Sequence, residues 1–136
     1  MGATDDELRL LLQKVARRIR ANRSDEHISD SQLSVLVELT RGQRTPGDLA
    51  ATERVTPPSM NRTLNGLEAA GLVERTRSSD DGRRVVVTVT PAGERLVAET
   101  RRLRTAWFSR RLSELPDADR RALEAAADAL RKLAES

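Results

Sequence analysis

Two groups of side chains in the middle of this sequence could do chemistry on a polyanion. The first lies in "TPPSMNRTLNGLEAAG", where Pro58, Arg62 and Asn65 fall at helical spacing with Ser59 and Asn61 beside them. Met60, Leu64 and Leu67 fall on the opposite side and form the apolar face. Arginine and asparagine can pair bidentately with guanine and adenine edges in the major groove. Ser59 and the backbone N–H groups of a first helical turn suit phosphate oxygens. The second group is "RSSDDGRR", from Arg77 to Arg84, which leads directly into a β-branched run. Arginine at a hairpin tip suits a narrow minor groove, whose negative potential is enhanced.

Each group has a plainer reading: a solvated helix face, and an exposed turn with incidental charges. The helix face, however, carries no acid before Glu68, which favours a nucleic-acid surface. With Thr56 at the helix start and Arg77, Arg83 and Arg84 around the hairpin, the expected contacts are complete. Gly82 would allow a turn with φ > 0. Asp81, or its neighbour Asp80, is expected to brace the loop by holding Arg75 or Arg77 across the hairpin.

These residues need particular elements to position them. "RTPGDLAATERV" predicts a short helix to about Ala51, with Thr45 as cap, Pro46 at the first position and Asp48 in the first turn. The same pattern returns at Thr56, Pro57 and Pro58, and Gly71 ends the second helix. Two short helices joined by a tight turn make a helix-turn-helix. "LVERTR" and "RVVVTVT" flank the loop as a hairpin. Outside this middle, Leu8, Leu11, Leu12, Val15 and Ile19 form one stripe on a helix spanning 5–22. A second helix starts near Ser29–Ser31, with Leu33, Leu36, Val37 and Thr40 on one face, and Gly42 ends it. A long helix from about Ala92 to Leu115 carries Leu96, Leu103, Trp107 and Leu112. One last helix follows Pro116, with Asp117 as cap and Leu123, Leu130 and Leu133 as its stripe.

Of the 24 basic residues only Lys14 and Lys132 are lysines. Arginine favours bidentate contacts to phosphate and base edges, although a GC-rich genome explains such a bias equally well. Net charge is only +3, so nucleic-acid binding must rest on a local patch. With no cysteine there is no disulfide, thiolate metal site or thiol sensor. His27 is the only histidine, and no carboxylate pair stands at ligand spacing, so an enzyme or a metal site has almost no material. No cofactor is expected. No apolar run approaches the roughly 20 residues of a membrane span. The acidic start "MGATDDEL" is unlike an export signal, so the expected location is cytoplasmic.

The run from "LAATERV" through "RTLNGLEAAGLVER", the wing's Asp81-Gly82-Arg83 and "VTPAG" resembles the DNA-binding core of MarR-type (multiple-antibiotic-resistance regulator) winged-helix transcription factors. The resemblance covers nearly the whole chain. It implies a mainly α fold with a small β-hairpin wing (α+β), in one domain over 1–136. A winged helix-turn-helix lobe would occupy 29–91, with dimerisation helices at 5–22 and 92–135. It also implies a homodimer on a pseudo-palindromic operator in double-stranded DNA, acting as a repressor. By similarity, Pro58 and Arg62 contact bases, Ser59 lies near phosphate and Arg83 is the minor-groove arginine. Peroxide-sensing members use a reactive cysteine that this chain lacks, which leaves signal input to a small-molecule effector, or no ligand at all.

The residues agree about a dimer. The first stripe and the C-terminal stripes cannot all be buried by a small winged-helix core, and long exposed leucine stripes mark an interface. A two-fold dimer would set two recognition helices about 34 Å apart, one DNA turn. Arginines in "RRLRTAWFSRR" are expected to be solvated, or paired with Glu94, Glu99 or Glu114. Trp107 and Phe108 suit packing better than a ligand-stacking wall. His27 is read as a surface loop residue, with an effector contact as its alternative. The competing function is a winged-helix module that binds protein, against which stands the polar face without an apolar anchor.

Overall fold

The structure, a computed structural model, describes residues 2–78, 82 and 84–136. Along the chain run α1 (Asp5–Arg20), α2 (Asp30–Thr40), α3 (Pro46–Glu53) and α4 (Pro57–Ala69). They are followed by β1 (Val73–Arg77), β2 (Val85–Val89), α5 (Pro91–Ser113), α6 (Asp117–Ala125) and α7 (Ala127–Glu135). The strands pair antiparallel, with Val73 opposite Val89 and Arg77 opposite Val85. The fold is mainly helical with one hairpin, as expected. It divides into two compact units, 23–102 and the pair 1–22 with 103–136, the division falling inside α5.

The 23–102 unit has a conventional aliphatic core. Leu36, Leu39, Leu49, Met60, Leu64 and Leu67 are fully buried, and Val73 and Val87 join them from the two strands. Each such side chain contributes roughly 1.5–3 kcal/mol relative to its exposed state. On α2 the buried residues are Leu33, Val35, Leu36 and Leu39, while Val37 is half-buried and Thr40 exposed. The single stripe predicted for α2 is therefore corrected. The helix contacts α3, α4 and β2, so its buried arc is wider than one stripe. Ser29 and Gln32 form a reciprocal capping box at its start.

Three helices of this unit start with Thr-Pro. Thr45, Thr56 and Thr90 each accept a hydrogen bond on the side-chain oxygen from the N–H three residues on: Asp48 at 3.1 Å, Ser59 at 3.2 Å and Gly93 at 3.2 Å. Proline at the next position wastes no donor there. α4 ends on Gly71, whose φ of +74° lets Leu72 N–H reach Leu67 O at 2.9 Å and Gly71 N–H reach Glu68 O at 3.0 Å. α3 runs two residues beyond its expected end at Ala51 and closes with the same bond pattern. There Arg54 takes the left-handed position, at φ 56° and ψ 45°.

The other unit has no core of its own. None of its described residues is buried. On α1, Leu8, Leu11, Leu12 and Val15 keep 42–51% of their surface exposed. Together with Trp107, Phe108, Leu112, Leu115, Leu123 and Leu130 they line an apolar groove of about 710 Å³. Arg18 and Arg111 each stack a guanidinium carbon 5.6 Å from the centre of the Trp107 ring. Arg104 donates to Asn22 O at 2.9 Å and Arg20 O at 3.0 Å, serving carbonyls at the end of α1 that the helix leaves open.

The remaining arginines of the long helix are partly paired, Arg102 with Glu99 and Arg111 with Glu114. The hydrogen bond from Arg102 holds the Glu99 carboxyl below the usual carboxylate range. Two expectations for the C-terminus are corrected. Pro116, not Asp117, precedes the first helical residue, and no side chain caps α6. The last helix is also broken at Ala126, whose ψ of −4° and N–H shared between Ala122 O and Leu123 O tighten the turn.

Candidate nucleic-acid interface

α3, the turn at Arg54–Val55 and α4 build the helix-turn-helix. Met60, Leu64 and Leu67 turn inward, which fixes the opposite face of α4 toward solvent. On that face Pro58, Asn61, Arg62 and Asn65 are exposed, and Ser59 is half-buried. The side chains of Arg62 and Asn65 make no hydrogen bond or ion pair with any described residue. No acid stands among them. The structure thus brings Pro58, Arg62 and Asn65 together as the spacing required.

The first turn of α4 differs from expectation in one respect. Pro57 and Pro58 have no N–H, and the N–H of Ser59 is taken by Thr56 Oγ1 at 3.2 Å. The expected set of free backbone donors for phosphate is absent; only Thr56 N–H lacks a described partner. Proline suits the helix start and removes the donors by the same token. Ser59 retains its hydroxyl.

The hairpin follows α4 directly. Arg75 donates from Nη2 to Asn61 O at 3.3 Å, and Arg77 donates from Nη1 to Gly82 O at 2.8 Å. Among the described residues, the side-chain partners of these two arginines are thus main-chain carbonyls, and the expected brace by Asp81 or Asp80 falls on residues outside those described. Asp80, Asp81 and Arg83 lie outside the described residues. Arg84 is exposed and precedes β2 instead of opening it, and its carbonyl accepts from Ser78 N–H at 2.7 Å.

Arg44 is a residue that the sequence reasoning missed. Its N–H donates to Val87 O at 3.2 Å, and Val87 N–H donates to Arg44 O at 2.7 Å, an isolated bridge that adds a third extended segment beside β2. Arg44, Gln43, Thr45, Asp48, Ser78, Arg84 and Val86 line a polar hollow of about 230 Å³. A lone residue between two helices carries no strand periodicity, so only the β-branched run opposite could have signalled it. His27 is an exposed loop residue whose N–H donates to Asp25 Oδ1 at 2.8 Å. Among the described residues no group of histidine, cysteine or carboxylate side chains could hold a metal ion, and no helix is long and apolar enough to cross a membrane.

Comparisons with known proteins agree with this geometry. Residues 28–84 match the model of the MarR family. An HTH-type transcriptional regulator of Mycobacterium bovis is 39% identical over 130 residues, covering 95% of this chain and 91% of that protein. A solved transcriptional regulator of Pseudomonas aeruginosa superposes with a TM-score of 0.82 at 30% identity, over 98% of this chain and 99% of the other. The fold is shared with a variant of Staphylococcus aureus MepR solved bound to an oligodeoxyribonucleotide, at a TM-score of 0.74 and 21% identity, over 96% of this chain and 98% of that one. With the helix-turn-helix, the hairpin and the uncommitted arginine face in place, the chain belongs to the MarR family of DNA-binding winged-helix transcriptional regulators, not to a family of enzymes.

Proposed function

We propose that the protein is a cytoplasmic, sequence-specific repressor that binds a pseudo-palindromic operator in double-stranded DNA as a homodimer. The observation that carries the DNA reading is the exposed, acid-free face of α4, where Arg62 and Asn65 have no side-chain partner among the described residues. Arginine and asparagine in that state are poised for guanine and adenine edges in a major groove. Thr56 and Ser59 would lie at the backbone, with Asn61 beside the reading face. Arg77, Arg83 and Arg84 would follow the backbone into the adjacent minor groove, over a loop shaped by Asp81 and Gly82.

The dimer rests on different residues. No described side chain of this unit is buried; such a unit does not hold a fold alone, and a second copy would cover its leucines. Helices in 5–22 and 92–135 would then interlock across a two-fold axis. The chain has no thiol to sense with, which leaves signal input to a small-molecule effector or to no ligand at all.

Selecting bound fragments from a random duplex pool tests the DNA reading, and an enriched inverted repeat is expected. A pool that enriches nothing over background would overturn it. Sedimentation at several concentrations tests the dimer separately.

A further inference from the structure

Resting on the DNA reading, we propose that Gln32 is a positioning residue for the reading face of α4. Its side-chain amide is the stop against which α4 rests at Gly66, and it thereby sets where Arg62 and Asn65 stand. A Cβ added at Gly66 would lie 2.7 Å from Nε2 of Gln32. A real Cβ does not tolerate that approach, so the amide packs directly over the α4 backbone. A glycine inside a helix is unfavourable relative to alanine. Here it is what lets α2 and α4 come this close.

The amide ends a long side chain, yet it is not free to swing. Gln32 Oε1 accepts from Ser29 N–H at 2.9 Å, while Gln32 N–H donates to Ser29 Oγ at 3.1 Å. An N–H can bond only the oxygen of the amide, which turns Nε2 toward α4. Ser29 is itself held on both sides, because Arg23 donates to Ile28 O at 2.8 Å and to Asp30 Oδ1 at 2.7 Å. Turning the amide away would leave the Ser29 N–H without its acceptor at a helix start. Gly66 follows Asn65 directly and stands one turn after Arg62. A displacement of α4 at Gly66 therefore reaches both reading side chains, which have no partner among the described residues to aim them otherwise.

A double-mutant cycle tests this, because the two substitutions act on one gap. Affinities for the selected operator and for scrambled DNA are measured at one salt concentration, since backbone binding depends steeply on salt. Gly66→Ala is expected to lose about tenfold on the operator, the size of one mismatched base pair, and less than about twofold on scrambled DNA. In a Gln32→Ala background the same change meets no amide, so it should cost the operator less than about twofold. Gln32→Ala alone, which creates no clash, should lose about threefold on the operator only.

A Gly66→Ala loss of equal size in both backgrounds, or none in either, would overturn the positioning role. Equal losses on operator and scrambled DNA would overturn it too, since they mark a contact that serves only the fold. If Gly66→Ala failed to fold, Gln32→Ala alone decides: a loss confined to the operator supports the role, and unchanged affinity overturns it. Failure of the random pool to enrich any sequence would instead remove the DNA reading beneath it.

Discussion

A Cβ placed on Gly93 would stand 2.4 Å from the carbonyl oxygen of Leu72 and 2.6 Å from Cγ2 of Val89. The start of α5 is thus pressed against the exit of α4 and the end of the hairpin. Thr90 fastens the same junction, donating from Oγ1 to Gly71 O at 2.7 Å and from its N–H to Leu72 O at 3.0 Å. Backbone is the neighbour that cannot yield, so Gly93→Ala is expected to cost about 1–3 kcal/mol of stability. Urea unfolding measures it, and an unchanged midpoint would mean that the junction is slack.

Arg54 in the turn between the two short helices occupies a left-handed conformation that costs a residue with a Cβ about 1–2 kcal/mol. Arg54→Gly removes that strain and adds unfolded-state entropy, so a net gain of a few tenths to about 1 kcal/mol is expected. Arg54→Val should lose at least 1 kcal/mol, roughly, because a β-branched residue tolerates the region poorly. Thermal melts of the two variants should therefore move in opposite directions, and parallel shifts would contradict the strain.

Arg62→Ala is expected to cost roughly 1–3 kcal/mol on the operator and much less on scrambled DNA. Equal losses on both would assign Arg62 to the backbone. Competition binding at one fixed salt concentration separates the cases, since backbone contacts depend steeply on salt.

Arg77→Ala removes the hydrogen bond to the Gly82 carbonyl but nothing from the core. The expected result is unchanged stability, within about 0.5 kcal/mol, with weaker binding of operators that retain their minor-groove flanks. Anisotropy on operators trimmed to the two major-groove half-sites should show a smaller loss. Loss of stability would place Arg77 in the fold instead.

Leu12→Glu puts a charge into the exposed leucine face of α1. Sedimentation should show a monomer, and helix content should fall in the unit that has no core of its own. A variant that stays dimeric with full helicity would show that this stripe is not the interface.

How much of this was legible follows from which forces act locally. The Thr-Pro starts, the Gly71 stop and the Met60, Leu64 and Leu67 face are short-range signals, and each lies where the residues indicate. The α2 stripe failed because burial by several neighbours has no single period. The break at Ala126 sits in an alanine run that carries no breaker. Arg44 escaped notice because its partner is 43 positions away in the chain. The donor-poor start of α4 was legible in principle, since Pro57, Pro58 and a capping Thr56 state it outright. Treating the turn as a generic helix end concealed it.

The bridge between Arg44 and Val87 has a mechanical side. It closes a ring through α3, the turn, α4 and β1 back to β2, so the hairpin has no free pivot at its base. Swinging it would break both bonds at once, at roughly 1 kcal/mol each. A wing tied in this way transmits displacement rather than absorbing it: a push on its strand is delivered to the first turn of α3. The hairpin and the two short helices should therefore move as one piece.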